Sequence, residues 1–358
     1  MSASPWDTAL LGQVVAGCRL DAYVGGGNFG VVFEATNVST GSRFAVKVLA
    51  PTNDAAAAFE FDSEGVLLRK LNKCSSVINW VESGSATILV ELNGSAIPLQ
   101  LKFHVLALAS AALEELISDP VRRASLPWPE RISHWRGAIK GVHQMHLNTV
   151  AHRDLKASNC LLMLHGGDTE VRVADLGRSK DFNLAPNLPS SAYLTGRGDL
   201  RFAPPEYLWW QGGNTVADFR SADLYGLGSL FVELATGHPI TALAIGSWQD
   251  ARRDGERDYV AGRHRDLSVL RPQYRRAIEE LSEEFPPAIR HGAAGLLGQL
   301  CDPVPAMRQP KRIPGMHYVP DNGLAWLLRR ADILSRRLSV DTRRPSCKSR
   351  NNTKWSAS

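Results

Sequence analysis

Early in the chain, apolar and polar residues alternate around glycines, in "LDAYVGGGNFGVVFEATNVSTGSRFAVKVLA" over residues 20–50. A period of two turns one side of each segment to a core and the other to water. The stretch therefore predicts three strands joined by tight turns, the second at Thr40-Gly41. In "AAAAFEFDSEGVLLRKLN" the apolar positions Phe61, Leu67, Leu68 and Leu71 take helical spacing. "ATILVEL" and "LQLKFHVLALA" return to strand character, and from Leu113 onward the helical period dominates. "WPERISHWRGAIKGVHQMHL" carries Trp135, Ile139 and Val142 on its inner face. "RSADLYGLGSLFVELATG" is apolar nearly all round, which predicts a buried central helix stopped by Gly237.

The pattern gives an α+β fold of two lobes. Residues 1–19 form an N-terminal extension, 20–109 a small β-rich lobe, and 110–338 a larger helical lobe. Residues 339–358 are rich in Ser, Thr, Asn and Arg and nearly free of apolar side chains, so they predict a basic, disordered tail. The charged stretch 245–290 predicts surface helices and loops.

Composition narrows the function classes. At 358 residues and 44% hydrophobic content the chain can bury a large core, and 22% charged residues argue against wholesale disorder. The net charge of +5 is mild and acidic residues are interleaved outside the tail, so no nucleic-acid partner is expected. Cys18, Cys74, Cys160, Cys301 and Cys347 are scattered, odd in number and without a CxxC pair, which fits a reducing, cytoplasmic setting. No run approaches the ~18 apolar residues of a membrane span. "VVAGC", ending at Cys18, resembles a lipoprotein cleavage box, but residues 1–17 hold no Lys or Arg, and a secretory signal carries a basic start.

Four short segments carry chemistry. Gly25, Gly27 and Gly30 stand in GxGxxG spacing, which lets backbone N–H groups approach phosphates. In a dinucleotide fold a helix follows such glycines. Here the strand-like "VVFEA" follows, which favours a hairpin flap, or simply a glycine-rich hairpin. Lys47 interrupts the apolar strand "FAVKVLA"; it either points to water from an edge or is a phosphate-binding cation held by a helix carboxylate, with Glu64 as best partner and Glu60 as the second choice. "HRDLKASN" at 152–159 offers Asp154 as a proton acceptor, Lys156 as a cation for the transferred group, and the Asn159 amide oxygen as a hard ligand for Mg²⁺. Asp175 follows a strand-like "EVRVA" and precedes Gly177, the place of a second metal ligand.

Together and in this order, the segments resemble those of eukaryotic-type Ser/Thr protein kinases across roughly residues 20–310. The resemblance implies a protein-kinase fold, ATP and Mg²⁺ as cofactors, and protein substrates. It implies that Gly25, Gly27 and Gly30 cover the phosphates. Val32 and Ala45 would pack above the adenine and Leu161 below it, with Ala107 and Ala109 in the linker that meets it. Lys47 would contact the α/β-phosphates and pair with Glu64. Asp154 would be the base, Lys156 would contact the γ-phosphate, and Asn159 and Asp175 would hold magnesium. Glu206 of "FAPPE" would pair with Arg308 of "DPVPAMR", and Asp223 would brace the catalytic loop, all three as structural residues. His152 would pack rather than react. Lys156 points to the Ser/Thr class.

The chain departs from that family in places. Leu176 replaces Phe beside the metal ligand, Pro204 replaces Ala, Ala107 stands where the linker often has Glu, and Ser158 where many basophilic relatives have Glu. Asp199 stands where Thr is usual, so a carboxylate either repels Asp154 or pairs with Lys156. Arg153 beside the base implies regulation by a phosphate on the activation loop, with Thr195 the best-placed acceptor and Ser190, Ser191 and Tyr193 as alternatives; a loop ordered without phosphate is the competing reading. "RRAS" at 122–125, "RRLS" at 336–339 and the basic tail read as solvated surface. A pseudokinase scaffold and a small-molecule phosphotransferase are the alternative functions.

Overall fold

The computed structural model describes residues 5–27, 30–49, 54–92, 95–185, 189–196, 198–310 and 323–343. Strands β1 (Val14–Val15), β2 (Cys18–Gly27), β3 (Gly30–Asn37), β4 (Arg43–Leu49), β5 (Trp80–Leu92) and β6 (Ser95–Ala107) form one antiparallel sheet in the order β1-β2-β3-β4-β6-β5. The inward residues of the period-two pattern, among them Val31, Phe33, Ala35, Val46, Val48 and Val105, make its core. Leu10, Val15 and Cys18 belong to that same core and β1 pairs with β2. Residues read from sequence as an extension are thus part of the small lobe: too short to show a period, they are fixed by the sheet edge that they cover.

The Ala55–Lys70 helix starts where the Asp54 carboxylate accepts from the Ala56 and Ala57 N–H groups, a cap worth about 1 kcal/mol. Its Leu67 and Leu68, with the following Leu71, are buried in the core of the helical region rather than in that of the sheet. The helix therefore joins the two halves, which positions everything it carries.

In the helical region the Val216–Thr236 helix is buried almost all round. It is opened by a reciprocal Thr215–Asp218 cap and closed by Gly237 at φ +78°. Against it lies the Trp128–Leu147 helix, with Trp135 stacked on Phe231 (ring centroids 4.3 Å) and its indole N–H donating to the Leu227 carbonyl (2.8 Å). Short strands frame the cleft side. β7 (Ala111–Ala112), β9 (Cys160–His165) and β10 (Asp168–Val173) form one antiparallel sheet, and β8 (Val150–Ala151) pairs with β11 (Lys180–Asp181).

Two further expectations need correction. The 245–290 stretch is not merely surface: Leu267, Leu270, Tyr274, Ile278, Leu281 and Phe285 are buried in the main core. Most of its charges lie on the outer faces of the Trp248–Val260 and Arg271–Leu281 helices and masked the apolar stripe, while Asp258 is buried and paired with Arg263 and Arg265. The disordered tail does not begin at residue 339, because the Ala325–Arg343 helix runs through that position, with Leu327, Ala331, Leu334 and Leu338 packed into the core. Residues 344–358 lie outside the described residues.

Candidate active site

The site is assembled where β4, the Ala55–Lys70 helix and the loops around β8 to β10 meet. Lys47 on β4 is 7% exposed, and its Nζ lies 2.7 Å from Glu64 Oε2 and 3.1 Å from Asp175 Oδ1. Burial alone would push the ammonium's pKa down; the two carboxylates outweigh it and raise it, so Lys47 stays charged. Glu64 also accepts from the Leu176 N–H through Oε1 (3.3 Å), tying the helix to the turn after Asp175. Of the two partners weighed for Lys47, Glu64 takes it; Glu60, one turn earlier, faces Arg178 Nη1 at 3.7 Å.

Asp175 has left-handed backbone (φ +58°), which swings its carboxylate out of the β10 direction towards Lys47. Burial would raise its carboxyl, but Lys47 holds it below the usual range. Asn159 donates through Nδ2 to the Asp154 carbonyl (2.7 Å), which fixes the amide. Among the described residues no three His, Cys, Asp or Glu side chains gather as a metal cage. The residues here that could hold a Mg²⁺ ion are Asp175, through its carboxylate, and Asn159, through its amide oxygen.

The catalytic loop is held from beneath. Asp223 accepts from the His152 and Arg153 N–H groups (2.9 and 2.7 Å) and from His146 Nε2 (2.7 Å). Burial would raise the Asp223 carboxyl, but these donors keep it low and ionised. His152 Nε2 donates to the Ala174 carbonyl (2.9 Å) and its Nδ1 accepts from the Asp154 N–H (3.2 Å). Both ring nitrogens are spent on positioning, as expected of a packing histidine. Glu233, not anticipated from sequence, lies under the loop and accepts from the Ala157 N–H (3.3 Å); burial pushes its carboxyl up to about 8.

Asp154 Oδ1 accepts from the Asp199 N–H (3.0 Å), and Lys156 Nζ stands 3.6 Å from Asp154 Oδ2 and 3.8 Å from Asp199 Oδ2. A Cβ at Gly198 would fall 2.5 Å from Asp154 Oδ1, so only glycine lets this segment approach the base. The Asp199 side chain is turned to Arg201, which donates through Nη2 at 2.7 Å and Nε at 3.1 Å. Burial would raise the Asp199 carboxyl; Arg201 and Lys156 hold it low. Pairing therefore wins over repulsion, and the main partner is Arg201, which sequence reading missed because an i,i+2 pair has no period to announce it.

The nucleotide-side residues fall on one region. Val32 lies opposite Lys47 across β3 and β4, and Ala45 opposite Leu106 across β4 and β6. Ala107 ends β6, Ala109 follows it, and Leu161 lies in β9; all three are half-buried. Gly25 pairs with Val32 and Gly27 with Gly30, the tip between them lying outside the described residues. Gly30 has φ +125° and a Cβ there would fall 2.4 Å from the Val48 carbonyl oxygen, so the flap demands glycine at this point. Farther off, Arg308 is fully buried and pairs through both Nη atoms with Glu206 at 2.7 Å each. Thr195 is half-exposed, and Ser190 and Ser191 are exposed. Tyr193, weighed as an acceptor, is 1% exposed and packed on Phe219, so this arrangement withholds its hydroxyl from solvent.

Comparison with known proteins agrees with this geometry. The profile of the protein kinase domain family matches residues 19–309. A G-type lectin S-receptor-like serine/threonine-protein kinase of Arabidopsis thaliana is 28% identical over 229 residues, covering 62% of this chain and 25% of the relative. Cysteine-rich receptor-like protein kinase 24 of Arabidopsis thaliana is 29% identical over 219 residues, covering 60% and 30%. Cyclin-dependent kinase 9 of Danio rerio is 28% identical over 224 residues, covering 61% and 56%. The chain thus spans between a quarter and somewhat over half of these relatives' lengths. With a β-sheet region, a helical region, a Lys47–Glu64–Asp175 contact and a braced loop bearing Asp154, all inside the matched span, the chain belongs to the protein kinase domain family.

Proposed function

We propose that this chain is a catalytically active Ser/Thr protein kinase, moving the γ-phosphoryl group of ATP to a hydroxyl of a protein substrate. The observation that carries the reading is the intact buried contact of Lys47 with Glu64 and Asp175. A lysine desolvated at this cost and aimed at the metal-ligand position supports a site for nucleotide phosphates, the first requirement of transfer.

In this reading Asp154 accepts the hydroxyl proton through Oδ2, its Oδ1 being held by the Asp199 N–H. Lys156 faces the group in transfer, and Lys47, fixed by Glu64, binds the phosphates nearer the nucleoside. Asn159 and Asp175 would hold Mg²⁺, which neutralises charge on the phosphates when bound. Val32, Ala45, Ala107, Ala109 and Leu161 would enclose the adenine. Positioning and electrostatics supply most of the rate, with the base contributing about 10²–10⁴-fold. A cytoplasmic setting is part of the proposal, supported by the four cysteines among the described residues, all buried and free.

The test compares wild type with Asp154→Ala, each given Mg²⁺ and γ-labelled ATP with a generic basic protein. Label that appears with wild type and falls at least about 10²-fold in the variant is expected. Binding of Mg·ATP without transfer by wild type would favour the scaffold, and transfer to small hydroxyl compounds alone would favour the small-molecule reading.

A further inference from the structure

The arginine beside the base is already held, and aromatic faces hold it. Arg153 has left-handed backbone (φ +70°) and precedes Asp154 in the loop that Asp223 braces. Its guanidinium carbon lies 5.5 Å from the Tyr193 ring centroid and 5.1 Å from that of Phe219. The two rings touch each other, tilted by 48° with centroids 6.0 Å apart. Nη1 reaches the Arg178 carbonyl at 3.4 Å, and Nε has no hydrogen-bond partner among the described residues. A cation over ring faces is attracted by their quadrupoles, more strongly where water is excluded. Tyr193 is 1% exposed and Phe219 2%, so both rings are shielded from water, while Arg153 itself is half-buried.

Tyr193 belongs to the activation segment, Phe219 to the first turn of the central helix, so the contact pins one to the other. The segment is fixed on its far side as well. The Leu194 carbonyl accepts from the Gly212 N–H (3.0 Å), and a Cβ at Gly212 would fall 2.4 Å from the Tyr193 carbonyl oxygen. Two other cations of this region are also engaged: Arg178 with Glu60 at 3.7 Å, and Lys180, whose Nζ donates to the Ala185 carbonyl at 2.7 Å.

We propose that Tyr193 is a positioning residue: its ring, with that of Phe219, holds Arg153 and through it the catalytic loop, so the activation segment is ordered without a phosphate on Thr195. Of the two sequence readings, phosphorylation of Thr195 and a loop ordered without it, the proposal takes the second, and it rests on the kinase reading for its effect on rate. The ring face, not the hydroxyl, is the working part.

The test uses the full chain after phosphatase treatment, as wild type, Thr195→Ala, Tyr193→Phe, Tyr193→Ala and Phe219→Leu. Phosphoryl transfer and backbone hydrogen exchange across residues 150–156 and 198–203 are followed in each. Dephosphorylated wild type and Thr195→Ala should keep full transfer, and Tyr193→Phe should stay within about twofold. Tyr193→Ala should lose about tenfold in kcat with KM for ATP unchanged, while the catalytic loop exchanges faster. Phe219→Leu, which keeps apolar volume but removes a ring, should move the same way if Tyr193→Ala fails to fold. Loss of transfer on dephosphorylation or in Thr195→Ala would overturn the proposal. So would a Tyr193→Phe as damaged as Tyr193→Ala, or a harmless Tyr193→Ala. Should wild type transfer nothing, the kinase reading fails separately and exchange alone decides: faster exchange in Tyr193→Ala but not in Tyr193→Phe supports the aromatic clasp, and equal exchange in both overturns it.

Discussion

His104 shows how much a single side chain can fix. It sits on β6 opposite Lys47, 3% exposed, stacked on Phe61 with ring centroids 4.0 Å apart. The Trp80 indole N–H donates to Ser83 Oγ (2.8 Å), and Ser83 Oγ lies 2.7 Å from His104 Nδ1. His104 Nε2 lies 3.0 Å from the Phe61 carbonyl, an acceptor, so the proton sits on Nε2 and the ring is neutral. Burial and the Lys47 charge push its pKa down to about 4, against the pull of the Phe61 carbonyl and Asp62. Between that value and the ordinary 6.5 the unfolded chain binds more protons than the folded one. Stability is therefore complete above pH 6.5 and lost as pH falls toward 4, by about 3 kcal/mol for this group. Urea unfolding at pH 7 and at pH 4 should show His104→Gln losing less stability than wild type; equal losses would mean that the imidazole titrates normally in the fold.

At the scale of elements, the same imidazole sets the seat of the Ala55–Lys70 helix. A Cβ on Gly65 would fall 2.8 Å from His104 Cε1 and 3.4 Å from Ser83 Oγ. In an exposed helix Gly→Ala gains about 1 kcal/mol. Here the ring cannot retreat, being bonded at both nitrogens, and overpacking of about 1–3 kcal/mol wins. Gly65→Ala should therefore destabilise the chain and weaken Mg·ATP binding, because Glu64 moves with its neighbour. Adding His104→Ala should recover part of the loss, and a denaturant double-mutant cycle would read that coupling. Additive losses would remove the steric argument. Lys47 and Glu64 could be matched from sequence by motif and helix register. The seat that makes them meet could not, since Gly65 and His104 are 39 residues apart and neither breaks a local rule.

At the scale of the whole molecule, cores tie segments that composition sets apart. Leu10 belongs to the sheet core, and the Ala325–Arg343 helix packs on the helical core beyond the span matched by the family profile. Leu327 is fully buried there, and Arg136 reaches across to Asp332 at 2.6 Å. Leu327→Ala should cost about 2–5 kcal/mol in one cooperative unfolding transition. A separate, earlier transition of the C-terminal helix would show instead that it folds apart from the domain.

The strands of the flap, the central helix ending at Gly237 and the order of the charged motifs were all legible in the residues alone. Each is written in residues close along the chain: a period of two or 3.6, a glycine stop, or a short polar cluster. Only the packing decided that Asp175 shares Lys47 with Glu64, that Asp199 turns to Arg201, that Arg153 rests on Tyr193 and Phe219, and where the domain ends. These are choices among partners of similar chemistry. They are settled by distance and burial, which depend on how segments far apart in the chain pack, and no local pattern encodes that.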